Sequence, residues 1–493
     1  MSMITLPRLV VLATAGLLAS IPTAYAAAGT HDHRTWGRHG GHAPSPTASA
    51  SPSASPSQST SPSPSTSAGA TPTAGASASP STAPPSSAAP TSAAPTSAAA
   101  TPTAPTSAPA GPSATTPPSP VGGSTTSVTC PYTGATSTVV RDASQAPYNA
   151  LGDGSTDDYT AIQNAINDAA AAGGGVVALP AGTFVTNGHL QLKTGVELKG
   201  AGAGTTTIKA GPNFLSAEGP DGGYPVVTTH GASNVTIADL TADQSGDKLD
   251  QSALPGRLAG YLIDVRNSTN ALVTDVATNN PATYSIAAVG STQFCVEHSS
   301  TRVTTTGMYD QLDGIHVMGS SFGYVLNNNV DQRYNGNTDG DDGLVAHTMT
   351  STPTHDITYA GNTVRAGNGG DGVQLAAGDG DIYNITIQNN EFYGSPEGIR
   401  TGWYNDQTGK VHDVLIGGSA ATGNSIHGLV PGTGANGAFP SGGQAGWFFA
   451  APNVSSNIPS DITMTYNSIC DAGSPPITMV ANSGNVAANN TTC

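Results

Sequence analysis

The densest chemistry in the chain is the stretch NGNTDGDDG, residues 335–343, which sets Asp339, Asp341 and Asp342 among glycines and amides. Only 10% of the residues are charged, so three carboxylates in one short run call for a reason. Asn337, Asp339, Asp341 and Asp342 present closely spaced oxygens of the kind hard cations bind, with Ca²⁺ as the ordinary choice. The same run offers the paired acids that glycoside hydrolysis uses. A polar turn is the third reading, and the local residues leave all three open.

A longer spacing helps to choose. Asp-Gly recurs before an aliphatic residue in LDGIHV (Asp313), DDGLVA (Asp342) and GDGVQL (Asp371), at intervals of 29 and 29, and EGIRTG places Glu397 a further 26 residues on. Equal phase in a repeating structure stacks these acids in one outward-facing column, with neighbours roughly 4.8 Å apart. Carboxylates that close cannot all stay ionised in a partly dry groove, so some hold a proton and an acid stands beside a base. Asp-Gly is also a favoured turn dipeptide, but a turn has no need of Asp341 beside Asp342. His316 and His347 follow their acids and suit tuning of a neighbouring pKa or bonding of a sugar hydroxyl, or they serve only as strand or corner residues. Arg400 either bonds sugar hydroxyls or pairs with Glu397. Trp403 with Tyr404, and Trp447 with Phe448 and Phe449, are either platforms for the apolar faces of sugars or a cover for the end of a core.

The elements that must carry this column are short and β-rich. NVTIADLTAD, NALVTDVATN, FGYVLNNNVD, HDITYAGNTVR, YNITIQNNEFY, HDVLIGGSA and SDITMTYNSIC recur, and taking Ile357, Ile385 and Val414 as equivalent gives steps of 28 and 29. A period in the high twenties, made of strands and turns, predicts an all-β solenoid: a single-domain right-handed parallel β-helix with Asn- and Gly-rich corners. One helix precedes it. Thr156 reads as its cap, Asp157 and Asp158 occupy its first turn, and the segment 157–172 covers the open N-terminal end of the core. VVALPAGTFVT then reads as the first strand with a turn, and VELKGAG as the second.

Composition divides the 493 residues sharply. Residues 1–26 read as a secretory signal, with Arg8, the apolar LVVLATAGLLA and the small-x-small site Ala24-Tyr25-Ala26. Residues 27–126 are dominated by Ala, Pro, Ser and Thr, too poor in large apolar side chains to offset the entropy of ordering, and read as a disordered, semi-extended linker. Within it, His31, His33, His39 and His42 offer at most weak metal binding in a polar tail. Residues 127–493 are then the folded domain, expected to be secreted and monomeric. No later run approaches the roughly 20 apolar residues of a membrane span. The net charge of −17 argues against nucleic acid or an anionic membrane as partner and disfavours a polyanionic substrate. Four cysteines in an exported chain permit two disulfides, and Cys470 with Cys493 is the preferred pair because it ties down the C-terminal tail.

GDGSTDDYTAIQNAINDAAAAGGGVVALPAGTF, followed by VELKGAG, resembles the opening of the pectate-lyase-like superfamily of β-helix proteins, which includes glycoside hydrolases, lyases and epimerases acting on polysaccharides. The order LDGIHVMGSS, DDGLVAHT, GDGVQLAAG, EGIRTGW is similar to that of polygalacturonase-type hydrolases and the related β-helix α-1,3-glucanases. The resemblance implies a catalytic set of Asp313, Asp341 and Asp342, with Asp342 as general acid and the other two activating water in an inverting hydrolysis that needs no cofactor. Beside that set, Asp371, His316, His347, Arg400, Trp403 and Tyr404 are the candidate substrate-binding residues. Where the polygalacturonase pattern has Gly-His-Gly, this chain has Gly370-Asp371-Gly372, and its Arg-Ile-Lys motif is reduced to Ile399-Arg400-Thr401. These departures point away from galacturonate and toward a neutral glycan. The rival readings are a Ca²⁺-dependent polysaccharide lyase or epimerase of the same fold and a glycan-binding solenoid without catalysis.

Overall fold

The computed structural model describes residues 127–246, 261–304, 312–334, 340–367, 370–403, 408–430, 448–449, 458–472, 476–479 and 483–493. The signal, the linker and its histidines, and Asn337, Asp339, Tyr404 and Trp447 lie outside these residues.

The described strands form three sheets, two of twelve strands and one of nine, here called A, B and C. Every strand pairs in parallel with its counterpart one coil away, so the chain visits A, B and C in turn and rises by one strand per coil. The inferred spacing holds where it is read, Ile357 pairing with Ile385 and Ile385 with Val414 in sheet A, while other coils are as short as 21 residues, from Gly175 to Val196, or as long as 48, from Val414 to Ile462. Ile, Val, Leu and Phe from all three sheets fill one continuous interior, with Phe184, Phe294 and Phe392 among its largest buried side chains.

The corner between sheets A and B is held by a column of asparagines. Asn328, Asn362, Asn390, Asn424, Asn467 and Asn490 each pass a side-chain amide hydrogen bond to the next, at 2.8–3.0 Å. Asn390 donates to Asn424 Oδ1 and to the Tyr359 carbonyl, and its own Oδ1 accepts the backbone and side-chain N–H groups of Asn362. Asn390→Ala removes all four bonds and strands buried partners. We expect a loss of about 3 kcal/mol or more, read as a lowered thermal midpoint; an unchanged midpoint would mean that the column is not structural.

Sequence expectation and structure part at the first helix. It spans Tyr159–Ala171, with Asp158 rather than Thr156 at the N-cap position. Asp158 is spent elsewhere: its carboxylate accepts the backbone N–H groups of Leu151 and Gly152. Asp153–Asp157 is a strand, and Thr156 bonds the Asp153 carboxylate. Ile162, Ala165, Ile166 and Ala169 bury one face of the helix against the first coils. VVALPAGTFVT divides between Gly175–Ala178 in sheet A and Gly182–Thr186 in sheet B, because a turn at Pro180 sends the chain around a corner. The preferred disulfide Cys470–Cys493 is present, and Cys130–Cys295 ties the start of the described chain to sheet A.

Candidate active site

Sheet C carries the acids, and its glycines explain why they stand where they do. Ile315, Leu344, Val373 and Ile399 are register partners on successive strands, which puts Asp313, Asp342, Asp371 and Glu397 at one level, two residues earlier. The glycine after each acid turns toward the interior. A Cβ on Gly314 would overlap Val330 and the Gly343 carbonyl, and one on Gly343 would overlap Val364. Neither glycine has a positive φ, so the Asp-Gly repeat is a packing requirement of sheet B's side chains and not turn chemistry. Backbone bonds lock the levels together: Gly314 N–H donates to the Asp342 carbonyl and Gly343 N–H to the Asp371 carbonyl, each at 2.9 Å.

The column is buried, not displayed. Asp313 is 4% exposed, Asp342 5%, and Asp371 and Glu397 0%; Asp341 and His347 are half-buried. Asp313 Oδ1 accepts the Asp342 N–H at 3.3 Å, and Asp342 Oδ1 accepts the Asp371 N–H at 2.6 Å. Burial pushes Asp313 up to about 8, with the Asp371 charge adding to it and the Asp342 N–H opposing. Asp342 is raised well above the carboxylate range by burial and by the charges of Asp341, Asp371 and Asp313. Burial and then Asp371 push Glu397 up to about 10. Asp371 is also raised by burial, although Arg400 and Gln374 pull it down.

Arg400 departs from its expected partner. Its Nη1 lies 3.8 Å from Asp371 Oδ2, so the ion pair forms with the acid one coil earlier, not with Glu397. Asp371 Oδ2 also accepts a bond from Gln374 at 3.2 Å. Asp371 is therefore engaged and fully buried, a support for the acids beside it more than a surface for sugar. Trp403 ends the sheet C strand Glu397–Trp403, and Phe448–Phe449 pairs beyond it in the same sheet; the described residues do not extend to these aromatic side chains.

His316 is drawn into the acid set. Its Nδ1 lies 2.7 Å from Asp313 Oδ2, and its ring stacks on Tyr284 at 4.1 Å, which stacks in turn on Tyr261 at 4.9 Å. Burial lowers the imidazole to about 3, so it is neutral beside an Asp313 that holds its proton to about pH 8. The Asp313 carboxyl then donates to Nδ1 and the single imidazole N–H sits on Nε2, which is buried without a hydrogen-bond partner among the described residues. His347 is likewise held neutral, at about 3, by burial and by His316. Sequence reasoning passed over Tyr284 and Tyr261, although a signal existed: Tyr284 stands 29 residues before Asp313, at the same level of the preceding coil.

Asp313, Asp341 and Asp342 each offer an oxygen such that all three lie within 4.8 Å of one another. This convergence is what the resemblance leads one to expect, but it is tighter than the roughly 6.5–9.5 Å that an inverting pair leaves for water. Two buried carboxylates and one half-buried carboxylate at that distance also fit a hard divalent cation in charge and donor type, with Asp313, Asp341 and Asp342 as the residues that would hold it.

A family model described as rhamnogalacturonase A/epimerase, pectate lyase-like, matches residues 146–236. Mannuronan C5-epimerase AlgE1 of Azotobacter vinelandii is 29% identical over 250 residues, which cover 48% of this chain and 16% of that protein. AlgE5 of the same organism is 29% identical over 268 residues, 52% of this chain and 24% of that protein. The chain therefore spans well under a third of the length of these curated relatives. Among solved structures, an exopolygalacturonase from Thermotoga maritima superimposes with a TM-score of 0.53 at 18% identity, covering 73% of this chain and 93% of that one. At that identity the likeness speaks for the fold.

Proposed function

We propose that this chain, a right-handed parallel β-helix protein of the pectate-lyase-like superfamily, is a secreted glycoside hydrolase that cleaves a polysaccharide by acid/base catalysis in the sheet C site. The observation that carries the reading is the convergence of Asp313, Asp341 and Asp342, two of them buried and proton-holding, with Asp341 more exposed. Asp342 is the general acid: burial and the neighbouring carboxylates raise it well above the carboxylate range, favouring the protonated form that can give its proton to the glycosidic oxygen as the bond breaks. Asp341, the half-buried carboxylate, faces the anomeric carbon and attacks it as the nucleophile, and water then releases the sugar from it. Asp313, holding a proton against His316 Nδ1, orients an imidazole whose Nε2–H can donate to a sugar oxygen. Secretion rests on the signal-like residues 1–26, and no helix among the described residues is long and apolar enough to cross a membrane.

The spacing sets a stereochemical prediction. Carboxyl groups about 5 Å apart belong to retaining hydrolysis, so the first anomer released should keep the configuration of the substrate, as read by NMR of early products. An inverted first anomer would place the water-activating group outside Asp313, Asp341 and Asp342.

A second reading is favoured by the same convergence. If the three acids hold Ca²⁺, the cation would neutralise a uronate carboxylate, and the chain would be a lyase or epimerase. In that case Asp313 and Asp342 would be ionised as ligands and not available as acids. Chelator then abolishes activity, and a lyase releases ultraviolet-absorbing unsaturated uronates; the hydrolase survives chelation and releases reducing ends alone.

A further inference from the structure

The chain has few cations, and the fold gathers three of them on the outer face of sheet B. Arg302, Asp331 and Arg365 are register partners on successive strands, and Tyr393 and His427 continue the row. Arg333 lies just past Asp331. Each guanidinium is held in place: Arg302 over the Tyr334 ring at 5.0 Å, Arg333 by the Gly394 carbonyl at 2.6 Å, and Arg365 by two bonds to Asp331 at 2.8 and 2.5 Å. Arg365 also donates to the Arg333 carbonyl at 3.0 Å. Asp331 is ion-paired with Arg365 alone, and neither Arg302 nor Arg333 has a carboxylate within ion-pair distance among the described residues. Fixed, half-buried guanidinium groups with donors left over are suited to oxyanions that accept two N–H bonds side by side, such as carboxylate and sulfate.

The row adjoins the acid site through the chain itself. Gln332, between Asp331 and Arg333, donates its side-chain amide to the carbonyl of Leu312, the residue before Asp313. Gly367, two residues after Arg365, donates its N–H to the Asp341 carbonyl at 2.7 Å.

We propose that Arg302, Arg333 and Arg365 form a subsite for the carboxylate or sulfate groups of an acidic polysaccharide, beside the turns that deliver Asp313, Asp341 and Asp342. This rests on the reading that the chain acts on a glycan. It reconciles two properties that otherwise conflict: the acid column suits a neutral residue at the cleaved bond, while charged residues farther along the same polymer dock on sheet B. A net charge of −17 weakens the long-range attraction of any polyanion, so recognition rests on paired N–H bonds at the guanidinium groups and not on charge alone, which sets an acidic glycan apart from a nucleic acid.

The test is affinity electrophoresis of the full chain carrying Asp342→Asn, which separates binding from cleavage, in gels containing a polyuronate, dextran sulfate, a neutral glucan or double-stranded DNA. Retardation is expected in the polyuronate or the dextran sulfate gel, and which of the two retards more identifies the anionic group. It should weaken about tenfold in Arg302→Gln/Arg333→Gln, while mobility in neutral glucan stays unchanged. Arg302→Gln alone, at a side chain held only by an aromatic face, should show part of the loss with an unchanged thermal midpoint. Equal retardation of variant and parent, absence of retardation by both acidic glycans, or equal Arg-dependent retardation by DNA overturns the proposal. None of these outcomes depends on whether the parent chain hydrolyses its substrate.

Discussion

Asp342→Asn should lower kcat by about 10²- to 10⁴-fold, the range expected on removing a general acid, with little change in KM and no loss of thermal stability. Asp342 is 5% exposed and lies among the charges of Asp341, Asp371 and Asp313, all of which favour its protonated form. A neutral carboxyl at pH 7 is what proton donation to a leaving oxygen requires. Asparagine keeps the shape and the oxygen that accepts the Asp371 N–H, so the fold loses little. It also removes an acid from a crowded column, and the variant should melt at or above the parent's midpoint. A variant that stays folded and retains activity within a few-fold of the parent would remove Asp342 from the mechanism.

The second large effect is on stability against pH. Asp313 has its native value pushed up from 3.8 to about 8, so between those limits the unfolded chain has released a proton that the native chain still holds. The native state binds more protons, and stability therefore falls as pH rises, by about 1.4 kcal/mol per unit for this group, levelling off above about pH 8. Glu397, raised to about 10, and Asp342 act in the same direction. His316 and His347 act oppositely, because burial holds them neutral at about 3 while their unfolded counterparts take up protons below about 6.5. The clean window is thus pH 6.5 to 8, where the histidines no longer contribute. Thermal midpoints measured there with chelator present should drop steadily, and Asp313→Asn should reduce the slope. A midpoint that holds steady or rises across that window would show that the acids are ionised in the native protein even without a bound cation.

How much of this was legible beforehand depended on whether a feature repeats. The coil period was readable because inward aliphatics recur, and Ile357, Ile385 and Val414 occupy equivalent positions in sheet A. The acid column was readable for the same reason, and its four members do share one level of sheet C. Its burial was not, since covering a sheet face depends on segments between coils that carry no period. The glycines were legible as a pattern, but their packing role was not, because their neighbours Val330 and Val364 belong to another sheet. Arg302, Arg333 and Arg365 look isolated along the chain, about one coil apart, and become a cluster only when the coils stack. Asp158 shows the opposite failure: a local helix-start pattern was read as complete, while its carboxylate was satisfying the loop at Leu151 and Gly152.

The central claim is that the Asp313, Asp341 and Asp342 set cuts a glycosidic bond by hydrolysis. The most direct measurement is product analysis over a panel of neutral and acidic polysaccharides, with parent and Asp342→Asn compared in the presence of chelator. The account predicts that the parent generates new reducing ends from at least one glycan, without ultraviolet-absorbing products, and that Asp342→Asn does not. Unsaturated products that vanish with chelator, or changed uronate configuration with no new reducing ends, would contradict it.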